Sequence, residues 1–328
     1  MKYIKNKSNN PYYNLAFEEY ILTEFNENED CFLLWQNAPT IVVGKHQNTI
    51  EEINLDYVKS KNINVVRRLS GGGAVYHDLG NLNFTFIVKN QVNYQFDFRK
   101  FTKPVIKALK KIGIEATFNS RNDLVIDGKK FSGNAQYMKK NRLLHHGTLM
   151  FNSDIDELVK SLSVSDDKII SKGIKSVRSR VANISDYLND KIHVLEFKEI
   201  LLKYLQEEME VFHEYELNVD EESKVREIMN KRYKTWQWNY GESPKFNIKK
   251  VKKFDSGKIE TLLDVENGYI GSCKFYGDFF SSENVEEIEE KLVGIKYEES
   301  SILNVLKELD INKYFLGINV QKLIQVLI

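Results

Sequence analysis

Only two cysteines, Cys31 and Cys273, and four prolines occur in 328 residues. Two thiols exclude a disulfide framework and leave too few ligands for a cysteine-based zinc site. Apolar runs stop at four or five residues, as in Phe32–Trp35, so no segment is long enough to span a bilayer. The basic start, Met1–Lys7, has no apolar stretch behind it and does not read as a secretory signal. Net charge is missing too: 47 Lys+Arg stand against 47 Asp+Glu, which argues against a dedicated nucleic-acid binder. What remains is 42% apolar and 29% charged residues, a core-forming composition, in a length that suits two domains. A cytoplasmic globular protein is expected.

Local patterns mix helix and strand. Asn14 is positioned to cap a helix over Leu15–Glu24. Phe32–Trp35 and Thr40–Val43, around the turn Asn37-Ala38-Pro39, read as a pair of strands. Leu82, Phe84, Phe86 and Val88 alternate with Asn83, Thr85, Ile87 and Lys89, which predicts a strand with one buried face. Phe98–Ile112 reads as a helix stopped by Gly113. Asp123–Ile126 and Lys129–Tyr137 flank Asp127-Gly128, a two-residue hairpin signal. Near residues 244–247 the pattern changes to a three-stranded meander and two short helices. The expected domains are therefore 1–245 and 246–328.

The segment with most chemical content is Arg67-Arg68-Leu69-Ser70-Gly71-Gly72-Gly73-Ala74-Val75-Tyr76-His77-Asp78. Three glycines permit close backbone approach to a ligand, and two arginines supply forked cationic donors for an anion. No Lys follows the glycines, so a Walker A loop is excluded, and the dinucleotide fingerprint fails at Tyr76. In Asn122–Gln136, strand alternation sends Lys129 and Lys130 to opposite faces. Lys130 stands beside the small Ser132-Gly133, and Asp123 with Asn122 offers oxygen ligands for a hard cation between phosphates. An exposed hairpin with turn-flanking lysines accounts for the same residues. In Leu144-His145-His146-Gly147-Thr148 the adjacent histidines face opposite ways, one inward and one outward, which disfavours a metal pair. The basic stretch Lys168–Arg180, with Lys172, Lys175, Arg178 and Arg180, reads as a polar loop able to cover an anion or as plain surface.

Together and in this order, these segments resemble the lipoate–protein ligase family of bacterial type. The matching text is Asn14-Leu15-Ala16-Phe17-Glu18-Glu19-Tyr20, Arg67–Asn81, Arg121-Asn122-Asp123 with Gly128–Gly133, His145-His146-Gly147-Thr148, Lys172–Val181 and Trp236–Gly241. The resemblance implies an α/β (α+β) fold: a mixed-sheet catalytic domain like that of biotin ligases plus a small C-terminal accessory domain. It implies ATP-dependent, magnesium-assisted activation of lipoate to lipoyl-adenylate. The acyl group then passes to a lysine of a lipoyl carrier domain, of a 2-oxoacid dehydrogenase complex or a glycine cleavage H protein, by a monomeric enzyme.

It also implies the site. Lys130 is expected to touch both the lipoate carboxylate and the α-phosphate and to be catalytic. Arg68, Gly73, Ala74, Val75, Tyr76, Asn122, Asp123, Arg178 and Arg180 are expected around ATP, with Asp123 also toward magnesium. Arg68, Gly72 and His146 are expected toward lipoate, with strand residues near Val75 or Phe131 lining the acyl slot. Concentrated positive charge suits the joining of two anions, and the 168–180 loop is the candidate cover against water. Two alternatives share the fold: an octanoyl or lipoyl transferase working through a cysteine thioester, and a non-catalytic carrier-binding homologue. The transferase needs an activated thiolate beside the pocket, and neither Cys31 nor Cys273 follows the Gly-rich or Lys130 segments.

Overall fold

Strand-forming text dominates the first 150 residues, and it builds most of an eight-stranded mixed sheet. The computed structural model describes residues 1–26, 29–89, 97–119, 122–162, 177–209, 213–241 and 246–328. The sheet runs in the order β11-β1-β2-β6-β10-β9-β8-β7. Its strands are β1 (Lys2–Ile4), β2 (Cys31–Trp35), β6 (Asn81–Lys89), β7 (Thr117–Asn119), β8 (Asp123–Ile126), β9 (Lys129–Lys139), β10 (Arg142–Met150) and β11 (His213–Tyr215). β11, β1 and β2 pair in parallel; from β2 through β6, β10, β9 and β8 to β7 the pairing is antiparallel. A second sheet, β4-β3-β5, is built from β3 (Thr40–Val43), β4 (Asn64–Arg67) and β5 (Val75–His77). Phe32–Trp35 and Thr40–Val43 thus enter different sheets and are not a pair, because Asn37-Ala38-Pro39 redirects the chain instead of reversing it.

Helices cover both faces of the large sheet. The helices Phe98–Lys111 and Val194–Glu208 supply Phe101, Val105, Leu109, Phe197, Leu201 and Leu205 to the core with Phe84, Phe86 and Phe131. On the other face lies the helix Pro11–Thr23. Its cap is Asn10, which accepts from the amides of Tyr12 and Tyr13, with Pro11 opening the helix where no amide donor is needed. Asn14 is instead fully buried inside that helix, where its amide donates to the carbonyls of Ser8 and Gln36 and to Asn37 Oδ1. β6 corrects the one-face reading as well. Asn83 and Thr85 are as buried as Phe84 and Phe86, because the first helix covers their face, with Glu18 accepting from Thr85.

The chain divides into two compact units. One holds Met1–Val42, Ile50–Arg67 and Val75–Asn239; the other holds Tyr240–Ile328 together with Val43–Thr49 and Arg68–Ala74. Of the boundary expected near 244–247, residues 244 and 245 lie outside the described ones. In the second unit, β12 (Ile248–Phe254), β13 (Gly257–Glu266) and β14 (Tyr269–Gly277) form the antiparallel meander read from sequence. Its core joins Leu263, Phe275, Phe279 and Phe315 with Ile288 and Leu292 of the helix Glu286–Leu292 and Ile302 and Leu306 of Glu299–Lys307. Among the described residues no helix is long and apolar enough to cross a membrane.

Candidate active site

Lys130 begins the site. β8 and β9 are joined by Asp127 (φ 49°) and Gly128 (φ 74°), the left-handed pair that a two-residue hairpin requires. Beyond that turn Val125 pairs with Lys130, but Leu124 pairs with Ser132 and Asp123 with Gly133, so Phe131 is an extra residue on β9. Plain alternation would send Lys130 and Gly133 to opposite faces. The bulge puts them together and turns Phe131 into the core. Lys130 Nζ lies 2.8 Å from Asp123 Oδ1, and a Cβ built on Gly133 would stand 3.1 Å from that same Nζ. Glycine at 133 therefore leaves the ammonium its place.

The Lys130 side chain is 42% exposed and opens into a cleft of about 420 Å³. Asp123, Val125, Gly128, Val177, Arg180 and Val181 share its lining. The 180–182 segment runs along Lys130 itself: Lys130 N donates to the Arg180 carbonyl at 2.7 Å, and Ala182 N to the Lys130 carbonyl at 2.9 Å. Arg178 turns away to Asp156, 2.8 Å distant and exposed. Residues 163–176, which carry Lys168, Lys172 and Lys175 of the expected cover, lie outside the described residues. One carboxylate, Asp123, lines the cleft, and no group of three His, Cys, Asp or Glu side chains suited to a metal occurs among the described residues.

Behind the cleft stands β10. His145 and His146 do face opposite ways, yet neither faces out. His145 is enclosed and stacks on Phe101 at 4.9 Å, and burial holds its imidazole well below the usual histidine range. His146 Nδ1 lies 3.2 Å from both carboxylate oxygens of buried Glu18. Thr85 donates to Glu18 Oε1 at 2.5 Å and accepts from Trp35 Nε1 at 2.9 Å, completing a buried polar set on the first helix's face. Thr148 Oγ1 accepts from Gly133 N at 3.1 Å. Glu18, Asn134 and Thr148 were missing from the residues read out of sequence, although all three stood inside the quoted segments.

The glycine-rich segment is organised differently. Arg68, Gly72, Gly73 and Ala74 belong to the unit that contains the C-terminal residues, whereas Val75 and Tyr76 lie in β5 of the other unit. Arg68 is buried. Its guanidinium donates to Ser70 Oγ at 3.0 Å and to the carbonyls of Gly71 and Gly73 at 2.7 and 2.9 Å. Gly72 N donates to the Phe279 carbonyl at 3.2 Å, and a Cβ on Gly71 would stand 2.3 Å from that carbonyl oxygen. Only glycine allows this approach, and Gly72 also sits at φ +92°. Lys45 N donates to the Ser70 carbonyl at 2.9 Å, so the 44–48 turn backs the same loop. Arg67 is tied elsewhere: Nε donates to the Trp238 carbonyl at 2.8 Å, and Trp238 Nε1 to the Arg67 carbonyl at 2.9 Å. That exchange uses Trp238 of the Trp236–Gly241 motif. Tyr76 is buried against Ile41, its phenol held above the usual range by burial, with Asp78 adding to it.

Both thiols are buried. Burial pushes the Cys31 thiol up to about 11 and raises that of Cys273 further, so neither is a ready nucleophile near neutral pH.

Residues 10–206 match the lipoyl protein ligase A/B catalytic domain, and residues 243–327 the bacterial lipoate protein ligase C-terminus. The chain is 50% identical over 318 residues to lipoate-protein ligase LplJ of Bacillus subtilis (strain 168), covering 96% of each. Its structure is similar to that of P. falciparum LipL1 in complex with lipoate, with a TM-score of 0.79 at 29% identity over 94% of both chains. A lipoate-protein ligase A bound with ATP matches with a TM-score of 0.64 at 29% identity, over 73% of this chain and 98% of that one.

Proposed function

Because the chain belongs to the lipoate–protein ligase family, we propose that its Lys130 cleft is where lipoate is activated. The activity is ATP-dependent: lipoate becomes lipoyl-adenylate, and the lipoyl group passes to a lysine of a lipoyl carrier domain. In the first step a lipoate carboxylate oxygen bonds to the α-phosphorus of ATP, and the bond to the bridging oxygen breaks, so pyrophosphate leaves with the electron pair. In the second, the carrier lysine's neutral amine bonds to the acyl carbon, AMP leaves, and the amine's proton is lost.

The observation that carries the assignment is an ammonium held by one carboxylate at 2.8 Å yet open to a cleft, with glycine opposite it. Lys130 donates toward both the carboxylate and the α-phosphate, where negative charge concentrates during attack. Arg180 adds charge at the rim. Asp123 suits Mg²⁺, which takes one or two carboxylates and otherwise keeps water and substrate phosphates; when bound, the ion neutralises phosphate charge. The other assignments follow the family resemblance: Asn122, Arg178 and Gly73–Tyr76 toward ATP, Arg68 toward ATP and lipoate, Gly72 and His146 toward lipoate. Residues 1–245 are read as the catalytic part and 246–328 as accessory. The carriers are those of 2-oxoacid dehydrogenase complexes or a glycine cleavage H protein, met in the cytoplasm by a monomer. Buried, high-pKa thiols favour this reading over a cysteine transferase.

Mass spectrometry of a lipoyl carrier incubated with the protein, ATP and lipoate tests it. A mass gain of one lipoyl group with the native chain and none with Lys130→Ala is expected. An unmodified carrier, or equal gain with both proteins, would overturn the assignment.

A further inference from the structure

Asn134 follows Gly133 on β9 and is 3% exposed. Its side-chain amide is used from both ends. Nδ2 donates to the Asn122 carbonyl at 2.9 Å, and Oδ1 meets His145 Nε2 at 3.2 Å. Its main chain closes on the same residue: N donates to the Asn122 carbonyl at 2.9 Å, and the carbonyl accepts from Asn122 Nδ2 at 2.6 Å. With Nδ2 committed to a carbonyl, Oδ1 is the end that faces the histidine, so His145 Nε2 carries the proton. His145 Nδ1 then accepts from Gln136 Nε2 at 3.1 Å. A neutral imidazole in this one tautomer satisfies every contact, which agrees with its burial beside Phe84, Phe98 and Phe101. Gly147 supplies the room, since a Cβ there would stand 2.2 Å from Asn134 Oδ1.

Asn122 immediately precedes Asp123, the first residue of β8. Asn134 grips this point from the middle of the sheet. We propose that Asn134 is a positioning residue for adenylate formation: clamped by His145 and Gln136 behind it, it fixes Asn122 and so sets the Asp123 carboxylate that aims the Lys130 ammonium. This inference rests on the reading of Lys130 as the activating lysine. Misplacing such a group by about 1 Å costs on the order of 10² in rate without any loss of its charge.

A double-mutant cycle on pyrophosphate release, with lipoate and ATP supplied to the full chain, separates positioning from mere support of the fold. Asn134→Ala should lower kcat for adenylate formation by about 10–100-fold, with KM for ATP changed less than about threefold. In a Lys130→Ala background, adding Asn134→Ala should slow the step by less than about twofold, since nothing remains to be aimed. Losses that multiply, or an Asn134→Ala enzyme with native kcat, would overturn the inference. Asn122→Ala removes the one side-chain bond that Asn122 contributes, Nδ2 to the Asn134 carbonyl, and leaves the core intact; it should show the same non-additivity in kcat, read apart from KM for ATP, and multiplying losses in kcat there count equally against it. The Lys130→Ala arm tells the two failures apart. If Lys130→Ala is as fast as the native chain, the reading of Lys130 falls and takes the clamp with it; if it is slow while Asn134→Ala is silent, the clamp alone is lost.

Discussion

Lys130 and Arg68 are both cations beside glycines, and they spend their donors in opposite directions. Lys130 makes one ion pair and turns the rest of its ammonium toward an open cleft. Arg68 is buried and places its guanidinium on Ser70 and on the carbonyls of Gly71 and Gly73, within its own loop. The glycines differ in the same way. Gly133 keeps space free for the Lys130 side chain, whereas Gly71 and Gly72 admit the Phe279 carbonyl. A Gly-rich, Arg-rich segment can therefore be a packing device first, and a Lys beside a lone Gly the chemically exposed feature.

Substitution at Lys130 is the strongest way to break that contrast. Lys130→Ala should depress adenylate formation by about 10²–10³-fold, read as pyrophosphate release, and weaken ATP binding without acid far less. Lys130→Arg should rescue incompletely, because a planar guanidinium does not replace a compact point charge. Lys129→Ala, one residue away, should be mild; if it proves the crippling change, the cleft has been assigned to the wrong lysine. Next in size is Gly133→Ala. Its Cβ meets only the flexible end of Lys130, so adenylate formation should fall by about tenfold while the melting temperature barely moves. A clear drop in melting temperature at native rate would erase the distinction between the two glycine types.

Gly71→Ala should do the reverse. A Cβ 2.3 Å from the Phe279 carbonyl forces backbone apart, costing about 1–3 kcal/mol, visible in denaturant unfolding. Unchanged unfolding would show that the loop does not depend on that contact. His145 gives a pH handle on the Lys130 side. Its imidazole is held below the usual value of 6.5 when folded, so the unfolded chain binds the extra proton. Stability from this group is therefore complete above about pH 6.5 and declines as pH falls below it, with a slope of up to one proton. His145→Gln should flatten that decline, and an unchanged acid limb would assign it to other groups. The smallest effect is expected from Cys31→Ala with Cys273→Ala: a transfer rate within about twofold of native. Collapse of transfer in the folded double variant would reopen the cysteine chemistry.

Much of this was legible in the sequence where local rules decide. Asp127-Gly128 announced its hairpin, Gly113 its helix end, and the meander after residue 247 its turns. Of the residues singled out in the sequence, Lys130, Asp123 and Arg180 do share a cleft. What failed was anything set by a distant partner. The face of Asn83 and Thr85 looked like a solvent face until Glu18 covered it. The bulge at Phe131 has no local signature, yet it decides that Lys130 meets Gly133. Asn134 carried no sign of its contacts, because its partners Asn122 and His145 lie 12 and 11 residues away.

The grip of Phe279 on Gly72 also sets an order of events during synthesis. The loop Arg68–Ala74 leaves the ribosome roughly 200 residues before its partner segment exists. At 5–20 residues per second that gap lasts about 10–40 s. Through that interval Gly71 and Gly72 lack the carbonyl they are shaped around, and a nascent chain halted before residue 279 carries the whole Arg67–Asp78 motif with its central loop unbraced. The loop therefore gains its brace only after residue 279 has been made.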